Sequence, residues 1–526
     1  MKLARRAVWI SALASALTLI TSTTAVAAIT PVLASGPSPV AACASSDAAQ
    51  PGRNFLNAEV EPQLAVDGSN VITMFHQDRW SNGGGHAIGV SRSSDGGITW
   101  TESAMPWNFC APGTPSSLTG YLRASDPWVS FGPDGIAYAS ALAFNIRVPN
   151  WANSVVVARS KDGGASWDHV GPIPGSAFTQ FAQSTDKNAT TADPTKNKTA
   201  YTVWDTLIEP TDNPDDNPHT AAYTGPTYFS KTTDGGETWS QAKVIIDTKN
   251  RQQTIGNIVV VGPDGTLYNF TDLIISPNTP FQGTRSNAQL AFVKSTDGGD
   301  TWTQPQIIAP FNSLGVVDPN TGERLRVGDG LEEVAIDPTS GKLYVVYESS
   351  TNYQKQIKQS RGTWDDQILL VTSSDGGATW TGPSVVHSLP SGLPTFTPTV
   401  AVNGGRVAVT YYDTRNLTPN QTANLPTDYW VKYSTDGGLT FGNEQHIAGS
   451  FDSRTAPVAR GFFLGDYEGL QPSGSGFQAA FVKTNCNATD SAGQVFPSGG
   501  LCAPASSSTL STTNTNPTDV FVATLS

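Results

Sequence analysis

Carboxylates, arginines and tyrosines stand at matching points of a repeat in this chain, although only 14% of its residues are charged. Glu61, Asp126 and the run Asp466-Tyr467-Glu468 each open a short apolar stretch of strand character. Asp78-Arg79, Arg147 and Tyr412-Asp413-Thr414-Arg415 close the stretches that follow such openings. Two carboxylates held together can divide the acid work from the base or nucleophile work on a glycosidic bond, and a tyrosine can replace the nucleophile. Arg79, Arg147 and Arg415 occupy equivalent repeat positions, so together they would grip a carboxylate by paired hydrogen bonds. Tyr467 lies between two acids, either of which could take its proton. The residue types therefore nominate Glu61, Asp126, Tyr467 and Glu468 for catalysis. They nominate Arg79, Arg147, Arg415, Asp78, Asp413 and Tyr412 for substrate binding. The competing expectation is that these groups cap strand ends and pack between sheets, since polar clusters are also built for structure.

The elements that must position these residues are set by an octapeptide that occurs six times: Ser93–Trp100, Ser160–Trp167, Thr232–Trp239, Ser295–Trp302, Ser373–Trp380 and Ser434–Phe441. Each copy carries Asp-Gly-Gly, and the steps between the Asp residues are 67, 72, 63, 78 and 61. Asp-Gly-Gly is hairpin-turn chemistry: the glycines take positive φ and the Asp bonds its own turn amides. The Ser or Thr two places earlier adds a local oxygen, and the terminal aromatic is suited to plugging a seam between sheets. A period of this size predicts an all-β array of small sheets. Upstream of each octapeptide lie two apolar runs joined by a Gly-, Pro- or Asp-rich turn, and a seventh such turn spans Ser473–Gly476 with no octapeptide after it. Seven turns predict a seven-bladed β-propeller, with a six-bladed ring as the alternative. The last unit lacks a fourth strand, which residues Arg53–Ala58 are expected to supply, removing an open sheet edge.

Lys2, Arg5 and Arg6 precede an apolar run and Ala25-Val26-Ala27, the layout of a signal peptide over residues 1–27, so secretion is expected. Residues 28–50 read as an Ala/Ser/Pro-rich linker and 51–526 as one propeller domain. Four cysteines fit an oxidising compartment. Cys486 and Cys502 flank one loop and would pair, leaving Cys43 for Cys110; neither spacing is that of a zinc site. The net charge of −13 argues against nucleic acid and anionic membranes as partners. No segment is long enough to span a bilayer, and a monomer is expected. The acidic stretch Thr211–Pro218 offers oxygen ligands for calcium but lacks the spacing of a calcium loop. No cofactor is required by any of these readings.

The octapeptide resembles the Asp box of the sialidase superfamily. That resemblance implies a propeller with the boxes on its outer hairpins, a glycan ligand and no cofactor. It also implies an arginine at the start of the first inner strand and an acid/base Asp in the loop after the second strand. The matching stretches here are Val60-Glu61-Pro62 and Trp80–His86, which carry neither; Arg79 does match the family's arginine at the end of the second strand. Glu61 in that place suggests a neutral or cationic ligand group. The phrases Asn57–Pro62 and Gly465–Gly469 look like those of secreted bacterial sialidase-like proteins. Three functions follow: a secreted glycoside hydrolase of extracellular glycans, with exo-α-sialidase as the leading activity; a non-catalytic propeller binding a glycan or protein; and a polysaccharide lyase using Arg415 with Tyr411 or Tyr412.

Overall fold

The computed structural model describes residues 28–146, 151–211, 223–275, 288–356, 366–389, 392–484 and 518–526. The signal segment, Arg147, most of the Thr211–Pro218 stretch and both Cys486 and Cys502 lie outside these residues. Strand pairing resolves the described chain into consecutive four-stranded antiparallel meanders. The first is Val60–Asp67, Asn70–Arg79, Gly85–Ser93 and Thr101–Ala104. Five more follow in the same order, opening at Arg123, Gln183, Gln252, Glu332 and Thr395. The last comprises Gly469–Ser473, Gly476–Thr484, Thr518–Leu525 and the N-terminal Val32–Leu33. The opening strands of successive meanders contact one another in sequence, and Gly469–Ser473 contacts Val60–Asp67, so the cycle closes. This is a β-propeller, and we read each meander as one blade.

The boxes hold the blades as their chemistry suggests. In all six, the Ser or Thr hydroxyl donates to the Asp at 2.6–2.8 Å, and that Asp accepts the amide four residues on at 2.9–3.0 Å. The second box glycine carries the contact with the preceding blade. A Cβ on Gly299 would lie 2.5 Å from the ring of Phe229, against which Trp302 also packs at 5.4 Å between ring centroids.

Closure differs from expectation in one element. The fourth strand of the last blade is Val32–Leu33, paired antiparallel with Val522 and Phe521, rather than Arg53–Ala58. The latter residues are held instead at the rim of the first blade, where the Phe55 amide donates to the Arg79 carbonyl, while Ala58 makes a lone bridge to Thr518. So close in sequence to the inner strand at Val60, they cannot also lie on the outermost edge of the neighbouring sheet, three strand spacings of ~4.8 Å away. The segment expected as a linker is thus built into the fold, with a 3-10 helix over Ala41–Ala49 and a Cys43–Cys110 disulfide. His86 ties the same segment down, its ring nitrogens 2.7 Å from Asp47 and 2.9 Å from Asp78. The bridge closes a span of 67 residues, so the paired substitution Cys43→Ser with Cys110→Ser is expected to cost up to about 4 kcal/mol by loop-closure entropy. A urea titration of both proteins checks this.

Candidate active site

The first strands of five blades share a device that aims side chains at the channel. Pairing with the second strand skips between Val60 and Gln63, Ser125 and Trp128, Asp186 and Ala189, Ile255 and Ile258, and Phe396 and Thr399. Each skip is a β-bulge holding one residue of positive φ: Glu61 (56°), Asp126 (53°), Lys187 (43°), Gly256 (76°) and Thr397 (49°). Pro62, Pro127 and Pro398 follow three of these, where the bulge needs no ladder N–H. A non-glycine residue in this region costs about 1–3 kcal/mol, and such strain gathers where geometry serves function. Glu61, Asp126 and Lys187 come from three consecutive blades and meet.

Lys187 Nζ lies 2.8 Å from Asp466 Oδ2, 3.1 Å from Asp126 Oδ2 and 3.7 Å from Glu61 Oε1. Arg326 reaches the same Asp466 oxygen at 2.8 Å. His76 closes the group: its Nε2 is 2.8 Å from both Glu61 Oε2 and the Asp126 amide nitrogen, and its Nδ1 is 3.1 Å from Arg79 Nη1. Burial alone would raise the Asp126 and Asp466 carboxyls. The Lys187 charge and the His76 contact outweigh it at Asp126, and the Arg326 and Lys187 charges do so at Asp466, holding both below the usual carboxylate range. Burial likewise opposes the Lys187 ammonium, but Asp126, Asp466 and Glu61 carry it well above its ordinary value. Glu61, His76 and Asp126 have the ligand set for a metal ion. The Lys187 ammonium already supplies positive charge to two of the three, so the fit is poor.

Two adjoining cavities open over this group. One, of about 240 Å³, is lined by Glu61, Arg79, Asp126, Asp186, Lys187, Arg326 and Arg460, with an apolar wall of Leu142, Phe144, Ile146 and Trp151. The other, of about 260 Å³, shares Asp186, Lys187, Arg326 and Arg460 and adds Arg324, Asp329 and Asp466. Each has four cationic side chains against three carboxylates, in a chain of net charge −13. Asp186 is exposed by area, but the space it faces is the cavities themselves. That enclosure, followed by the Asp126 charge, pushes its carboxyl up to about 6, against the pull of Lys187.

Of the residues nominated from sequence, Glu61, Arg79 and Asp126 are brought together here. Glu61 is not a bare anion at the axis, because His76, Lys187 and the Asp466 amide occupy it; the inference of a neutral or cationic ligand therefore loses its basis. Tyr467 lines a separate, small inner cavity beside Trp128, and its hydroxyl donates to the Pro127 carbonyl at 3.4 Å. Burial, and then the charges of Asp126 and Glu61, raise that hydroxyl well above 10, the reverse of activation. Glu468 is buried against the Tyr412 hydroxyl at 2.7 Å. Asp78 accepts from Ser38 Oγ and the Asn57 amide, anchoring the N-terminal segment. Arg415 is held by Asp413 at 2.9 Å and Glu444 at 3.1 Å over the Trp430 ring, and lines neither cavity.

The residues that complete the site are Asp186, Lys187, Asp466, His76, Arg326 and Arg460. The first four stand at positions that the repeat marks, so a signal existed. Arg326 and Arg460 come from aperiodic insertions between blades. These meet in a small sheet of Val316–Val317, Arg324–Arg326 and Phe462–Phe463, where the last two strands run parallel.

The boxes, the meanders and the ring define a β-propeller fold. No protein-family model matches the chain. A sialidase of Micromonospora viridifaciens is 27% identical over 228 residues, covering 40% of this chain and 30% of that protein. The chain therefore spans less than a third of the curated relative's length. Among solved structures, the Hadza microbial sialidase Hz136 aligns over 78% of this chain and 70% of its own, at 14% identity and TM-score 0.43. A Penicillium chrysogenum α-L-arabinanase complexed with arabinobiose covers 73% and 94%, at 15% identity and TM-score 0.42. An ulvan lyase of family PL25 covers 74% and 78%, at 10% identity and TM-score 0.40.

Proposed function

We propose that this protein is a glycoside hydrolase acting on glycans that carry an anionic group, with an exo-α-sialoside as the first substrate to test. The observation that carries this reading is a pair of neighbouring carboxylates driven in opposite directions inside a cationic cavity: Asp126 held ionised, Asp186 raised to about 6. Such divergence separates a base or nucleophile from an acid. Arg79, Arg326 and Arg460 would receive the substrate's anionic group, and Trp151 would give a sugar ring an apolar face. A lyase would need a Tyr or His base, and among the described residues neither cavity has one in its lining. The Cys43–Cys110 bridge supports a place outside the reducing cytoplasm.

The test is turnover of a fluorogenic sialoside beside fluorogenic uronides and uncharged arabinosides and hexosides. Turnover confined to acidic sugars is expected, and preference for an uncharged sugar would sink the reading. With Asp186 as acid, kcat/KM should fall as pH rises through about 6, because the proton to be donated is lost there. The pH profile of Asp186→Asn should lack that limb.

A further inference from the structure

We infer that the second cavity is a sugar subsite in its own right, built for an anionic residue joined to the sugar in the first, so that the preferred substrate is an anionic oligosaccharide of at least two residues. This rests on the hydrolase reading above. Each cavity alone falls short of the ~300–1,000 Å³ typical of small-molecule sites, and together, at about 500 Å³, they lie within it. They meet at Asp186, Lys187, Arg326 and Arg460, so the candidate acid stands at their junction, where a bond between two sugars would lie.

The second cavity is constructed to present cations. Arg324 and Arg326 are two apart on one strand and so share a face, while Leu325 between them is buried in the core at 2% exposure. Both arginines line the cavity. Arg326 is fixed by Asp466 and by stacking at 4.5 Å on Phe463, a ring that Arg79 also stacks on at 4.8 Å. Phe463 thus packs against both the arginine of the first cavity and one that serves both cavities. Arg460 is delivered to both by a turn with φ of 68°. The far wall closes at Gly328, where a Cβ would sit 1.8 Å from the Asp466 carbonyl, so the backbone itself forms it. Among the described residues, the ion pair of Arg324 is a 3.7 Å contact with Asp329, and the side chain is half exposed, which leaves guanidinium donors for a ligand. A carboxylate or a sulfate ester on the second sugar would satisfy this arrangement.

Arg324→Ala tests the inference, because Arg324 lines the second cavity and not the first. The readout is the ratio of kcat/KM for an anionic disaccharide to that for the aryl glycoside of its first sugar, which places an uncharged aryl group in the second cavity. The ratio should fall at least tenfold in the variant, and carboxylated and sulfated disaccharides run separately identify the group recognised. An unchanged ratio overturns the subsite while leaving hydrolysis standing. If no substrate turns over, the hydrolase reading fails, and calorimetric titration of the full chain with a digalacturonate still decides the subsite. Weaker binding by Arg324→Ala than by wild type supports it, and equal binding, or none to wild type, overturns it.

Discussion

Lys187→Met is expected to lower folding stability by about 3–5 kcal/mol, the usual consequence of removing one partner from a buried ionic group. Lys187 is only 11% exposed and faces three carboxylates that are 1–6% exposed. Without it, Arg326 remains for Asp466, but Asp126 and Glu61 lose their nearest cation. The pH dependence carries a sign. Asp126 and Asp466 are depressed in the folded protein, so their contribution is present above the ordinary carboxylate value and is lost as pH falls below about 4. Acid therefore erodes the wild type through this network, and Lys187→Met has less to lose there. Urea titrations of both proteins at pH 7 and pH 3 should show a gap that narrows in acid. The double variant with Asp126→Asn should recover part of the loss at pH 7, since the two sites couple directly. A gap below 1 kcal/mol at pH 7 would show that the ammonium is not what holds the three blades' strands together.

Asp126→Asn is expected to reduce kcat about 10²–10⁴-fold, the range for loss of a positioned acid/base group. The amide keeps the shape of the side chain and its contacts with Ser125 and His76, so KM should move little. Asp186→Asn should also lose turnover, and with it the pH limb near 6. The two variants together separate a base or nucleophile from an acid. If Asp126→Asn turned over at the wild-type rate, Asp126 would be only a structural counter-ion of Lys187, and the carboxylate work would pass to Glu61.

The boxes were legible because every part of their function is local. Ser93, Asp95, Gly97 and Thr99 satisfy one another within eight residues, and the same bonds from the glycine amide to the Ser or Thr hydroxyl and from that hydroxyl to the Asp recur in all six boxes. The inner-strand starts were legible for a related reason, since repeat position fixes which blade and which end a residue occupies. Glu61, Arg79 and Asp126 were found that way. Arg415 shows where the logic ends. It shares a repeat position with Arg79, but Glu444 and Trp430 in its own blade turn it aside. Arg326 and Arg460 lie in insertions of no fixed period, and nothing nearby in sequence places them at the channel mouth.

The sequence by itself determined the all-β repeat, the turn chemistry of each outer hairpin and the strand ends at which charge would gather. These depend on contacts a few residues apart, which any copy of the motif can make. Only the tertiary structure decided that Val32–Leu33 closes the last sheet, that Tyr467 packs inward with its proton held, and that Lys187, Arg326 and Asp466 meet from positions 187, 326 and 466. Those outcomes depend on where a closed ring brings distant loops, and on burial and charge acting across blades, which no local spacing encodes.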